Sequence, residues 1–235
     1  MRLLRRLSAM ILMTVCLAGC GGPGGSPPAR TSAPAESSPV TSVPVAPASP
    51  SPTGATPGAS SGSAPARVRY VFPVRASNVA FHPTHAKYPA TDIFADCGEP
   101  VVATTSGVVL EVSLADHYVK GLPDGPNNGG LSVSLLGDDG VRYYGSHLSR
   151  VDAGIRAGVR VTAGRELGRV GHTGNASGVC HLHYGISPPC ARVGDWKVRR
   201  GVIWPAPYLT SWREGGGKSP VAVVAAWQRV HQCRA

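Results

Sequence analysis

From Gly21 to about Ala66 the chain is built almost entirely of Gly, Pro, Ser, Ala, Thr and Val, with no aromatic residue and no period. Such a stretch has too little apolar surface to offset the entropy of ordering it, and its prolines favour extended conformations. Residues 20–66 therefore read as a tether, and whatever folds must lie in residues 67–235, about one ordinary domain's worth of sequence. That remainder is broken every few residues by Gly, Pro, Asn and Asp, which favours short strands over long helices. Candidate strands run from Val101 to Val112, Leu131 to Leu136, Val141 to His147, Glu166 to Val170 and Cys180 to Ser187. The Gly137-Asp138-Asp139-Gly140 turn makes a hairpin of the second and third. Between Pro220 and Gln232, the residues Val221, Val224, Ala225, Trp227 and Val230 recur at helical spacing and predict one terminal helix with an apolar face. The expectation is a mainly β, antiparallel domain closed by a C-terminal helix.

Ahead of the tether, residues 1–19 have the layout of an export signal: basic Arg2, Arg5 and Arg6, then an apolar run from Leu7 to Leu17. That run is too short to span a bilayer comfortably. The following Leu17-Ala18-Gly19-Cys20 resembles the lipobox of bacterial lipoproteins, which implies that Cys20 receives lipid and becomes the first residue of the mature chain. The implied location is outside the cytoplasm, anchored to the cell membrane and facing the cell wall. The Arg5-Arg6 pair leaves the choice between the general and twin-arginine export routes open. Without Arg2, Arg5 and Arg6 the chain keeps 20 basic against 13 acidic side chains. Such a field suits acidic wall polymers and anionic lipid. No basic cluster interleaved with aromatics points to nucleic acid.

Past the signal and anchor, Cys97, Cys180, Cys190 and Cys233 remain. In an oxidising compartment four cysteines suggest two disulfides, in any of three pairings. Cys180 and Cys190 bracket Pro188-Pro189, which favours joining those two in a short loop and Cys97 to Cys233. The spacing contains no C-x₂-C pair of the kind that builds a cysteine-rich zinc site.

The strongest chemical signal is Cys180-His181-Leu182-His183-Tyr184-Gly185-Ile186. On a strand, alternation puts His181 and His183 on one face and Cys180 and Leu182 on the other. Three further segments add to it: Phe81-His82-Pro83-Thr84-His85 leading to Asp92-Ile93-Phe94, Tyr143-Tyr144-Gly145-Ser146-His147-Leu148, and the turn Gly171-His172-Thr173-Gly174-Asn175-Ala176-Ser177-Gly178. In this order they resemble the lysostaphin/LytM-type zinc endopeptidases of bacteria, over roughly Arg67 to Leu209. Gly98-Glu99-Pro100-Val101-Val102-Ala103 and Pro205-Ala206-Pro207-Tyr208-Leu209 match as well.

The resemblance implies zinc held by His85, Asp92 and His183, catalytic histidines His147 and His181, and peptide substrates drawn from peptidoglycan stem peptides or cross-bridges. It also implies a groove across one sheet with the metal at its floor. Two imidazoles and a carboxylate suit zinc and leave a fourth position open to water. Two departures from the family pattern stand out. Six residues separate His85 from Asp92 where the family has three, which leaves His82 as a substitute ligand. Tyr144 lies three residues before His147 rather than two, an offset that a bulge or another hydrogen-bonding partner would absorb. The alternative reading is a noncatalytic wall-binding or regulatory protein of the same fold that activates other wall hydrolases. Gly171, Gly174 and Gly178 read as backbone devices, and Tyr184 and Trp196 as packing residues.

Overall fold

The computed structural model describes residues 67–190 and 195–235. The signal segment 1–19, the anchor residue Cys20 and the tether 20–66 lie outside the described residues. Among the described residues, ten strands and three helices follow in chain order: β1 (Ala80–Phe81), β2 (Thr91–Phe94), β3 (Pro100–Val102), β4 (Gly107–Ser113), β5 (Leu131–Gly137), β6 (Arg142–Leu148), β7 (Arg150–Val151), β8 (Arg160–Val161), β9 (Glu166–Arg169), β10 (His181–Ser187), α1 (Trp196–Arg199), α2 (Ala206–Arg213) and α3 (Val221–His231).

Seven strands form one sheet in the order β1-β2-β10-β6-β5-β4-β8, and β3-β9-β7 form a second. Every pairing is antiparallel. Alternation decides what each strand of the large sheet shows to either side. On β10, Leu182, Tyr184 and Ile186 point into the core, and the neighbouring β2 contributes Thr91 and Ile93 to the same face, all of them fully or almost fully buried. Val101, Val102 and Leu167 of the small sheet close over Leu182, Tyr184, Leu135 and Tyr143. Tyr184 is indeed a core residue, its hydroxyl sharing a 2.5 Å hydrogen bond with Thr104.

The run from Val101 to Val112 is two strands rather than one. After Val102 the chain leaves the small sheet, and the amide of Ala103 bonds to the Arg165 carbonyl. It then enters the large sheet at Gly107, where a Cβ would collide with the Leu136 carbonyl. Thr104 and Thr105 at the corner are β-branched and buried, so strand propensity carries on past Val102 and does not mark the turn. The hairpin at residues 137–140 forms as expected, with Gly140 at φ +78°. Helix α3 also forms, whereas α1 and α2 carried no strong periodic signal.

The disulfides correct the expected pairing. Cys97 joins Cys180 and Cys190 joins Cys233, with Cα atoms 5.4 and 5.8 Å apart. Strand β10 explains why Cys180 cannot reach Cys190: seven extended residues between them, at about 3.3 Å each, far exceed the roughly 7 Å a disulfide tolerates. Cys97 instead follows β2 and Cys180 precedes β10, so their bond staples two adjacent strands at one end. The other bond ties down α3, whose one buried residue is Val224.

Peptide mapping of the non-reduced protein should return Cys97–Cys180 and Cys190–Cys233 linkages. In a C190S/C233S variant, amide hydrogen exchange of residues 221–231 should accelerate strongly while that of β10 stays slow. Equal protection of both segments would show that α3 needs no covalent tie.

Candidate metal and catalytic site

The face of the large sheet turned away from the core carries the site. Asp92 on β2 sits directly across from His183 on β10, and His183 in turn lies opposite Ser146 on β6. His181 follows by alternation two positions along, as the His-x-His pattern requires. Strict alternation along β6 would send His147 into the core beside Tyr143, yet it faces the site. The cause is a β-bulge: Leu131 pairs with Leu148 and Ser132 with Ser146, which leaves His147 as the extra residue, at φ +66°. The bulge also accounts for the tyrosine offset, because Tyr144, Ser146 and His147 all line the groove.

A bulge frees backbone groups that must find other partners. Thr173 supplies them, its hydroxyl donating to the Leu148 carbonyl at 2.7 Å and accepting the Leu131 amide at 3.0 Å. The same residue's carbonyl accepts the Nδ1–H of His147 at 2.7 Å. The turn Gly171 to Gly178 thus holds the bulge and aims the histidine through a single threonine.

The other two strand histidines are treated alike. His181 donates from Nδ1 to the Val179 carbonyl at 2.8 Å, and His183 donates from Nε2 to the Arg200 carbonyl at 2.9 Å. These acceptors assign the tautomers and leave Nε2 of His147, Nε2 of His181 and Nδ1 of His183 with lone pairs for the site. Arg200 comes this close to β10 because Gly185 faces it, where a Cβ would meet the Arg200 carbonyl at 2.5 Å.

His85 arrives from the loop between β1 and β2. Its Nε2 is 3.8 Å from Asp92 Oδ2, while Nδ1 of His183 is 3.0 Å from Asp92 Oδ1. The ligand atoms of His85, Asp92 and His183 all lie within 4.8 Å of one another. His82 stays outside this group, exposed, with its ring edge-on to Phe94. The longer spacing before Asp92 therefore still brings His85 to the cluster. His147 and His181 complete it, with ring centroids 4.8 Å apart, and His181 Nε2 is 3.8 Å from Asp92 Oδ1.

The three residues fit a divalent ion. An imidazole nitrogen and a carboxylate oxygen held 3.0 Å apart, both bearing lone pairs, need a positive centre between them, either a proton or a metal ion. Burial alone would raise the Asp92 carboxyl, but the hydrogen bond to His183 and the charges of His183, His181 and His85 outweigh it and hold it down at about 2. Asp92 is thus ionised at neutral pH. Burial, reinforced by His183 and Asp92's other histidine neighbours acting against a further positive charge, lowers His85 and brings His147 to about 3. Both are neutral at pH 7, the state that ligation or proton acceptance requires. The other grouping of metal-type side chains among the described residues, Cys97, His172 and Cys180, offers no thiolate because its two sulfurs are bonded to each other.

The groove, about 380 Å³, is walled by the loop holding Lys87 and Tyr88, by Asp124 to Gly129, by Asn175 to Val179, and by α1 with Arg200. Trp196 belongs to this wall and not to the core, a correction to its reading as a packing residue. Thr173, Gly185 and Arg200 were not singled out in the sequence for the parts they play here. Only the Gly-x-Thr-Gly turn around Thr173 gave any signal.

Thr173→Val keeps the shape but orphans the Leu131 amide and the Leu148 carbonyl, at about 1–3 kcal/mol for each group left unsatisfied. Denaturant unfolding should show that loss. A stability equal to wild type would mean the bulge does not depend on the hydroxyl. The low value of His147 has a second consequence. Its unfolded-state value is near 6.5, so between pH 6.5 and about 3 the unfolded chain binds the proton that the folded chain refuses. Stability of the metal-free protein should therefore fall as pH drops through that window, and less steeply in His147→Gln. Parallel pH profiles for the two proteins would refute the assignment.

Residues 86–194 match Peptidase family M23, a segment that contains Asp92, His147, His181 and His183 and begins one residue after His85. The chain is 30% identical over 131 residues to the L-Ala–D-Glu endopeptidase of Bacillus subtilis. That alignment takes in 53% of this chain and 35% of the relative, so the chain spans about a third of the relative's length. Among solved structures, the catalytic domain of the antimicrobial peptidase lysostaphin from Staphylococcus simulans superposes with a TM-score of 0.42 at 25% identity, over 56% of this chain and 89% of that one. A zinc containing peptidase from Vibrio cholerae does so with a TM-score of 0.39 at 21% identity, over 51% of this chain and 36% of that one. The segment 86–194, which carries most of the groove lining, matches Peptidase family M23.

Proposed function

We propose that the protein is an exported, zinc-dependent endopeptidase that hydrolyses amide bonds in peptidoglycan stem peptides or cross-bridges. In this reading a lipid on Cys20 anchors it to the outer face of the cell membrane, and the segment 20–66 gives the domain reach into the wall. The observation that carries the proposal is the convergence of His85, Asp92, His183, His147 and His181 on one groove floor, their free lone pairs set by backbone acceptors. The wall substrate rests on the family match and on the named activity of the Bacillus relative.

His85, Asp92 and His183 would hold the metal. When bound, zinc supplies Lewis acidity that polarises the scissile carbonyl and acidifies water. The remaining chemistry belongs to side chains already in place. On rings 4.8 Å apart, Nε2 of either His147 or His181 takes the proton from the attacking water; the Nε2–H so formed then donates to the negatively charged carbonyl oxygen and passes its proton to the leaving amine. Their Nδ1–H bonds to the Thr173 and Val179 carbonyls keep both rings oriented through that exchange. The groove walls bind the peptide on either side, so the reacting bond is presented and not merely encountered.

Incubation with purified wall material, followed by mass analysis of the released fragments, tests the proposal. The zinc-loaded protein should generate new amino termini, chelation should abolish them, and re-addition of zinc should restore them. His183→Ala should lose both bound zinc and cleavage, whereas His147→Gln should keep zinc and lose at least a hundredfold in rate, the usual scale for a general acid or base. Zinc binding at one ion per chain with no cleavage of any wall preparation would overturn the enzyme reading in favour of a noncatalytic wall-binding role.

A further inference from the structure

Arg199, the last residue of α1, and Arg200, the residue after it, line the same groove, but only one has its charge answered. Arg199 donates to Glu111 Oε2 at 3.3 Å and to the Pro126 carbonyl at 3.1 Å. Arg200 forms no ion pair and no side-chain hydrogen bond with any described residue, and its Nε is closed off from solvent without a partner. It is nevertheless held firmly. Its guanidinium lies 3.7 Å from the ring centre of Tyr88 and 4.7 Å from that of Trp196. Two aromatic rings restrict the planar group and leave its outer N–H fork to the groove.

Position gives this unanswered charge its meaning. The Tyr88 ring on which Arg200 stacks is 4.4 Å from the His85 ring and 5.7 Å from the His183 ring. The backbone of Arg200 is tied to the site as well, since its carbonyl accepts the Nε2–H of His183. Anything gripped by the side chain is therefore in register with the groove floor. The acidic residue of the same wall, Asp124, is already bonded to Asn128 at 2.8 Å and paired with Lys87 at 3.5 Å, and it makes no ion pair with Arg200. A planar, half-buried, pre-ordered guanidinium with free donors matches one ligand chemistry above others, a carboxylate taken in two parallel hydrogen bonds.

The geometry points to Arg200 as a specificity residue that anchors a free carboxylate of the peptide beside the bond to be cleaved. This rests on the peptidase reading above and narrows its substrates to acidic peptides. The carboxylate is either one carried within the peptide, such as that of a glutamyl residue joined through its side chain, or the one at its C-terminus. Amidation of that group would remove the charge and one of the two acceptors, and with them the paired hydrogen bonds.

Three synthetic peptides test the assignment: alanyl-γ-D-glutamyl-lysyl-alanine with both carboxylates free, the same peptide with the glutamyl carboxylate amidated, and the same peptide with the C-terminus amidated. Binding to the zinc-loaded protein is measured by calorimetry and cleavage as kcat/KM, for wild type, Arg200→Gln and Arg200→Lys. In wild type, one amidation should weaken binding about tenfold or more, the scale of a charge-assisted pair, and lower kcat/KM in proportion. Which amidation does so identifies the carboxylate. In R200Q the acid-to-amide ratio should collapse to near one, and R200K, which keeps the charge but lacks the fork, should fall between. Because the readout is a ratio within each protein, a general loss of activity does not imitate it, and R200K carries the comparison if R200Q fails to fold. Equal binding of all three peptides by wild type, or an undiminished ratio in the variants, would overturn the anchor. Discrimination in binding without cleavage of any peptide would leave the anchor standing and count against the peptidase reading instead.

Discussion

Three backbone carbonyls, those of Thr173, Val179 and Arg200, each take one ring N–H from a histidine of the groove. Everything chemical about the site follows from that arrangement. An imidazole has two nitrogens, and committing one to a carbonyl decides which remains to accept a proton or a metal ion. The three acceptors come from a turn, a loop end and the residue after a short helix, so the tautomers depend on segments far apart in the chain. Asp92 completes the electrostatics, ionised among imidazoles that burial keeps neutral at His85 and His147.

Support for these acceptors is mostly a matter of close backbone approach. Gly185 leaves β10 bare where residues 200 and 201 cross it, and a side chain there would push away the carbonyl that holds His183. Thr173 plays the corresponding part for His147, bridging the two backbone groups that the bulge would otherwise strand. The bulge carries a local cost, a β-region chain forced to φ +66° at a residue other than glycine, and it is stable because its neighbours over-determine it. What it achieves is the placement of Ser146 and His147 on one face of β6, which strict alternation forbids.

The disulfides extend the same logic to the strands themselves. The Cys97–Cys180 bond joins the end of the segment after Asp92 to the residue before His181, so two of the strands that carry the site are covalently held at one end. The Cys190–Cys233 bond instead serves a helix with little core of its own. The groove wall nearest the metal-type cluster is cationic and aromatic, with Arg199 balanced by Glu111 and Arg200 resting on two rings.

Much of the architecture was readable in the amino-acid order because alternation and turn chemistry are local. The strands from 131 to 136, 141 to 147, 166 to 170 and 180 to 187, the hairpin turn at 137–140 and the last helix each announce themselves within a dozen residues. The shared face of His181 and His183 follows from strand geometry alone, and the grouping of His85, Asp92, His147, His181 and His183 was legible through a resemblance of ordered motifs. Contacts between distant segments were not legible, and for one physical reason: which groups meet across a fold depends on strand order and register, which no local pattern encodes. A short loop favours pairing Cys180 with Cys190, but an extended strand between them separates the two and brings Cys97 alongside Cys180. The β-branched Thr104 and Thr105 hid the corner between β3 and β4. The bulge at His147, the partners of Thr173 and the stacking of Arg200 exist only once β5, β6, β10 and their loops are assembled. The sequence by itself determined which side chains were available for chemistry; tertiary structure decided which atom of each would face the groove, because that choice belongs to backbone partners supplied from elsewhere in the chain.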